Sequence, residues 1–135
     1  MKLQISLDAT DPHALARFWA AALGYQVEDH TEVVDALLAA GRIAEDEIVV
    51  DGDRRAFRDV AACHGPGPRI FLARVPEPKT AKNRMHLDLQ VGPDAAAEEV
   101  ARLVALGAEV LWTTSDRGPV TTTLRDPEGN EFCVS

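Results

Sequence analysis

Leu3, Ile5 and Leu7 alternate with Gln4, Ser6 and Asp8, the two-residue period of a strand with one covered face. Asp11-Pro12 follows, a capping residue with proline at the first helical position. Leu15, Phe18, Trp19, Ala22 and Leu23 then recur at three- and four-residue spacing, which predicts an amphipathic helix stopped at Gly24. Tyr25-Gln26-Val27 begins a second strand. The same order returns further on. His86, Asp88 and Gln90 alternate with Leu87, Leu89 and Val91; Gly92-Pro93-Asp94 opens a helix; Val100, Leu103 and Val104 form its apolar stripe. Gly107 ends that helix, and residues 108–112 read as the next strand. Residues 23–27 (LGYQV) and 106–110 (LGAEV) hold matching places in the two halves, which suggests an internal duplication.

Each half closes on further strand. Residues 69–75 form one, stopped by Pro76. Residues 120–125 and 131–134 flank Asp126-Pro127-Glu128-Gly129-Asn130, a hairpin with proline at the second turn position. The first half also carries an insertion. Val33, Val34, Leu37 and Leu38 predict a short helix ending at Gly41, followed by a polar loop with Asp51-Gly52-Asp53. Residues 63–68 (CHGPGP) read as a rigid, exposed turn region. The expected architecture is one α+β domain over residues 1–135. Its first module covers about 1–76, with the helical insertion near 31–41, and its second about 84–135. A linker with Lys79 and Lys82 joins them.

A chain of 135 residues is a normal size for one domain. No run reaches the roughly 18 apolar residues of a membrane span, and the N-terminus reads as a strand rather than a signal segment. A cytoplasmic location is therefore expected. The formal net charge of −8 repels a phosphate backbone and an anionic membrane, so neither nucleic acid nor membrane is an expected partner. Cys63 and Cys133 are expected as free thiols. There is no glycine-rich phosphate loop. Ser6, His86 and Asp88 name the residue types of a hydrolytic triad, but His86 and Asp88 lie only two apart on a strand and no oxyanion helix start accompanies them.

The DP before the first helix, FWAAALGY at its end (18–25), KNRMHLDL opening the second half (82–89) and DPEGNEFCV at 126–134 resemble the vicinal oxygen chelate superfamily. Within it, the chain is similar to glyoxalase-like and bleomycin-resistance-like domains. The resemblance implies two βαβββ modules whose curved mixed sheets enclose a cavity, with helices outside, and it implies a homodimer. On that fold the apolar alternation sets Leu3, Ile5 and Leu7 under the helices and turns the polar set inward. Gln4, His86, Asp88, Glu131 and Cys133 are then the expected ligand-binding residues, with Phe71 as an apolar wall. Trp112 is the best aromatic wall for a planar ligand if it faces inward.

Enzymes of this superfamily hold a divalent metal through one position on each of four cavity strands. The resemblance places those positions at Gln4, Ala73, His86 and Cys133. Alanine donates nothing, an amide oxygen is weak and a thiol must first lose its proton. Asp88 and Glu131 lie two residues along the strand from these positions, roughly 6–7 Å away. No cofactor is expected, with Gln4, His86 and Cys133 as weak metal candidates. The expected function is metal-free binding of a small molecule, such as sequestration of an antibiotic or aromatic metabolite. Two alternatives stand beside it. One is a divalent-metal-dependent glyoxalase-like lyase, isomerase or dioxygenase. The other is a metal-free enzyme using His86 as acid or base.

Overall fold

Asp11 has extended backbone, and its carboxylate accepts from the N–H groups of His13 and Ala14 at 3.1 and 3.0 Å. This N-cap satisfies donors that a helix start otherwise leaves unpaired. The helix it opens, α1 (Pro12–Leu23), closes at Gly24, whose φ of 64° only glycine adopts cheaply. The computed structural model describes residues 1–116 and 118–135 and divides into two units, Met1–Pro76 and Glu77–Ser135. Among the described residues no helix is long and apolar enough to cross a membrane.

The first unit runs β1 (Gln4–Ala9), α1, β2 (Gln26–Val27), α2 (Thr31–Ala39), a 3₁₀ turn (Glu45–Glu47), β3 (Ile48–Asp51), β4 (Arg54–Phe57), β5 (Val60–His64) and β6 (Arg69–Arg74). The second runs β7 (Asp88–Leu89), α3 (Pro93–Ala105), β8 (Glu109–Thr114), β9 (Thr121–Arg125) and β10 (Glu131–Val134). Their main sheets have the orders β1-β6-β5-β2 and β7-β10-β9-β8. In both, the first strand pairs in parallel with the last, and the remaining pairs are antiparallel. The repeat read from the sequence is thus a repeat of topology. Helix α2 and the β3–β4 hairpin interrupt only the first copy, between its second and third strands.

The core of the first unit follows the alternation. Ile70, Leu72, Ala61 and Cys63 are buried on one face, and α1 lies on β5 and β6 through Leu15, Phe18 and Trp19. The Phe18 and Trp19 rings meet edge-on at 5.4 Å. In the second unit Leu124, Phe132 and Val134 are buried, together with Leu103 of α3.

Several expectations are corrected. Leu3 is 71% exposed rather than core: the β1–β6 ladder starts at Gln4, and β1 is an edge strand that α1 barely covers. Val104 is also exposed, so α3 buries Leu103 instead of a full stripe. The polar loop is a hairpin, β3 and β4, whose two-residue connection puts Gly52 at φ 63°, as such turns require. Cys63 is not in an exposed turn; it is buried in β5. The strand expected over 86–91 shortens to β7, leaving His86 outside it, because Asn83 bonds the Glu131 side chain and His86 bonds the Asn83 carbonyl instead of a ladder.

The turn after β5 is built around Tyr25. A Cβ added at Gly65 would overlap the Tyr25 ring carbons, and one at Gly67 would meet its hydroxyl. Gly65→Ala is expected to lower stability by about 1–3 kcal/mol, as overpacking against a stiff ring does. Urea denaturation measures this, and Tyr25→Ala in the same background should recover part of the loss.

Candidate functional site

Both main sheets carry a polar face opposite their helix-covered face. In the first unit Gln4 pairs with Arg69, Ser6 with Phe71 and Asp8 with Ala73 across β1 and β6. The Arg69 guanidinium donates from Nε and Nη2 to the two Glu28 oxygens at 2.6 and 2.7 Å, and from Nη1 to Gln4 Oε1 at 2.7 Å. Such a two-pronged pair fixes both planes. His30 Nε2 lies 3.2 Å from Glu28 Oε2, and His64 Nδ1 lies 3.6 Å from Oε1. The guanidinium also sits 5.5 Å from the centre of the Phe71 ring, within cation–π range.

The charges answer to this geometry. Hydrogen bonding from Arg69 holds the Glu28 carboxyl down at about 2, with burial opposing and His30 adding to the effect. Arg69 is raised in turn by Glu28. Burial, with the Glu28 charge adding, pushes the Cys63 thiol up to about 11, so it stays protonated and inert at neutral pH. Glu28, His30, His64 and Arg69 were not among the expected site residues. The signal was available for two of them: Gln26, Glu28 and His30 keep a polar two-residue period beyond β2.

In the second unit one row crosses all four strands. Trp112 pairs with Thr123, Thr123 with Cys133, and Cys133 with Asp88. A bulge between Val110 and Trp112 makes the row possible. Val110 pairs with buried Leu124, so strict alternation would send Trp112 to that same face; the extra residue turns it to the polar one. Trp112 stays 44% exposed. Thr123 Oγ1 lies 3.6 Å from Cys133 Sγ. Burial raises the Cys133 thiol; the Thr123 contact and Lys82 lower it, and Asp88 raises it further. Asp88 is thus directly opposite Cys133 across the ladder.

A second row, Glu109–Arg125–Glu131, borders a cleft of about 490 Å³ that also takes in Lys79, Lys82 and Glu128. Arg125 Nη2 donates to Glu109 at 2.6 Å. Glu131 Oε2 accepts from the Asn83 N–H at 2.9 Å and from Lys79 at 3.2 Å. The Asn83 bond is the main reason its carboxyl is held down at about 2. His86 Nε2 lies 2.8 Å from Lys82 Nζ and 3.2 Å from the Asn83 carbonyl. An ammonium only donates and a carbonyl only accepts, so the two contacts select opposite protonation of that nitrogen. The expected residues therefore fall into two sets. Asp88, Trp112, Glu131 and Cys133 are on the second unit's polar face with His86 at its edge; Gln4 and Phe71 are on the first unit's.

These residues do not fit a divalent metal. Among the described residues no three His, Cys, Asp or Glu side chains converge on one point. His86 has a lysine ammonium at its outer nitrogen, Cys133 is held as a thiol, and the Glu131 carboxylate is committed to Asn83 and Lys79.

Residues 4–135 match the model of the glyoxalase-like domain. The chain belongs to this family. Its fold is that of the vicinal oxygen chelate superfamily, and solved structures repeat it over almost the whole chain. A hypothetical protein from Staphylococcus aureus, SA1046, aligns with a TM-score of 0.66 at 14% identity, covering 99% of this chain and 92% of that one. A glyoxalase/bleomycin resistance protein/dioxygenase family enzyme from Burkholderia phytofirmans gives 0.65 at 15%, covering 97% and 94%. The fosfomycin resistance protein FosX from Listeria monocytogenes, complexed with Mn(II) and a dihydroxypropylphosphonic acid, gives 0.62 at 13%, covering 97% and 85%. No curated protein matches the sequence.

Proposed function

We propose that this glyoxalase-like protein binds a small planar organic molecule, an antibiotic or an aromatic metabolite, and holds it without a catalytic metal. The row Trp112–Thr123–Cys133–Asp88 carries this reading. It sets an accessible indole plane beside a hydroxyl, a protonated thiol and a carboxylate, which is the mixture of apolar wall and few polar handles that small-molecule sites use. Glu131 and His86 border the same face. On the first unit Gln4 and Phe71 are the contacts of its own polar face. The protein acts as a cytoplasmic homodimer, since β2 and β8 are edge strands whose unpaired backbone a second copy can cover; light scattering that finds only monomer at micromolar concentration removes that part of the proposal.

Tryptophan fluorescence tests the binding. Trp19 is 1% exposed and Trp112 44%, so a ligand stacked on the row quenches the second. Across a panel of planar aromatic compounds, at least one is expected to quench the wild type, and Trp112→Ala, followed by titration calorimetry because it removes the reporting indole, is expected to weaken that compound by about tenfold, the worth of one stacked aromatic contact. Unchanged affinity in Trp112→Ala sinks the proposal.

A second reading is a divalent-metal-dependent glyoxalase-like enzyme, favoured by the Mn(II) found in FosX. Elemental analysis separates the two. Substoichiometric metal is the expected result; about one metal ion per chain, lost in His86→Ala, would promote the enzyme.

A further inference from the structure

The insertion between β2 and β5 builds a cleft of about 790 Å³ within the first unit, which meets that unit's polar cluster only at Glu28 and His30. One wall is the start of α1, the other the β3–β4 hairpin, and Val27, Val49, Val50, Ala56 and Ala61 supply apolar lining. The walls are tied down: His13 Nε2 lies 2.9 Å from the Phe57 carbonyl, and the Arg55 N–H donates to Thr31 Oγ1 at 2.9 Å. Among the described residues the second copy of the repeat has no helix or hairpin at this place.

Four arginines, Arg17, Arg54, Arg55 and Arg74, also line this cleft in a chain of net charge −8. Three make one exposed ion pair each: Arg54 with Asp29 at 3.5 Å, Arg55 with Asp35 at 3.2 Å and Arg74 with Asp59 at 3.1 Å. A guanidinium has five N–H donors, so each keeps some for a ligand. The Arg17 guanidinium has no partner among the described residues. The nearby carboxylates are mostly engaged: Asp11 caps α1, Glu28 holds Arg69, and Asp29 accepts from Thr31 and Arg54. Asp51 remains, at the hairpin tip.

We infer that this insertion cleft is a second ligand site that takes a small organic anion with an apolar body. A carboxylate there meets Arg17 while the hydrocarbon part covers the valines and alanines of the hairpin wall. The guanidinium fork suits such planar anions better than an ammonium does. The cleft includes none of the Trp112–Thr123–Cys133–Asp88 row, so it stands or falls independently of the function proposed above.

The test uses phenylacetate and its neutral counterpart phenylacetamide, titrated into the full chain while nitrogen–proton correlation spectra are recorded. Phenylacetate is expected to shift the amides of Val49, Val50, Ala56 and Ala61, and phenylacetamide to leave them in place. Arg17→Ala should weaken phenylacetate by about tenfold, the usual worth of a charge-assisted hydrogen bond, and Arg17→Lys should recover part of it. Arg17 is exposed, so neither change threatens the fold. No shift with phenylacetate, equal binding of the amide, an unaffected Arg17→Ala, or shifts confined to Trp112 and Cys133 would each overturn the inference.

Discussion

Asp126→Ala is expected to destabilise the second unit by about 2–4 kcal/mol, because it strands several part-buried donors at once. Asp126 is 2% exposed. Its Oδ1 accepts from the backbone N–H groups of Glu128 and Asn130, both at 2.9 Å, and its Oδ2 accepts from Asn130 Nδ2 at 2.9 Å. One carboxylate thus organises the whole turn between β9 and β10. Removing it frees the turn that sets the register of Glu131 and Cys133 against Arg125 and Thr123. Asp126→Asn keeps one acceptor oxygen and should cost less than the alanine change. Guanidinium denaturation followed by far-ultraviolet circular dichroism gives both values. A loss below about 1 kcal/mol, the level of an ordinary surface change, would mean that the turn does not depend on this side chain.

Acid is expected to unfold the protein through Glu28 and Glu131. Both carboxyls stand at about 2 in the folded chain against an ordinary 4.5. A depressed carboxyl contributes stability that is fully present above its unfolded value and is lost as the pH falls through the folded one. The window therefore runs from about pH 4.5 down to about 2. A shift of this size corresponds to about 3 kcal/mol for Glu28. Because the Arg69 side chain is 35% exposed, solvent screening brings the expected figure to about 2 kcal/mol. Glu28→Gln should lose that amount at pH 7 and flatten the decline between pH 4.5 and 2. Glu131→Gln should flatten a separate part of it, since its main support is the Asn83 N–H rather than an ion pair. Denaturation curves at neutral pH and near pH 3 check this. Wild type and Glu28→Gln losing equal stability on acidification would refute the assignment.

The elements that the sequence made legible are those governed by neighbours in the chain. Asp11, Pro12 and Gly24 bound α1 because capping and left-handed backbone act within a few residues. The Leu-Gly stop appears twice because each helix must end before its second strand. The hairpin at Asp126–Asn130 is likewise a local affair. The polar faces of β1 and β10 followed from the period of two, so Gln4, Glu131 and Cys133 could be assigned to a face in advance.

What escaped depends on partners distant in the chain. Glu28 and Arg69 are 41 residues apart, and nothing local to either marks the other. The β3–β4 hairpin was read as a polar loop because its strands are only four residues each and Asp51-Gly52-Asp53 marks the stretch between them as a turn. Leu3 has the pattern of a core residue, but exposure depends on where the ladder begins and which strands the helix covers. Trp112 is the sharpest case. A single bulge reverses the facing of every residue beyond it, and a bulge belongs to the pairing of two strands, not to either strand's own sequence. The repeated order of elements and the local faces of the strands could be read from the chain alone, because they follow from short-range sterics and periodicity. Which polar groups meet is settled in the folded chain, because it depends on strand register and on long-range pairing.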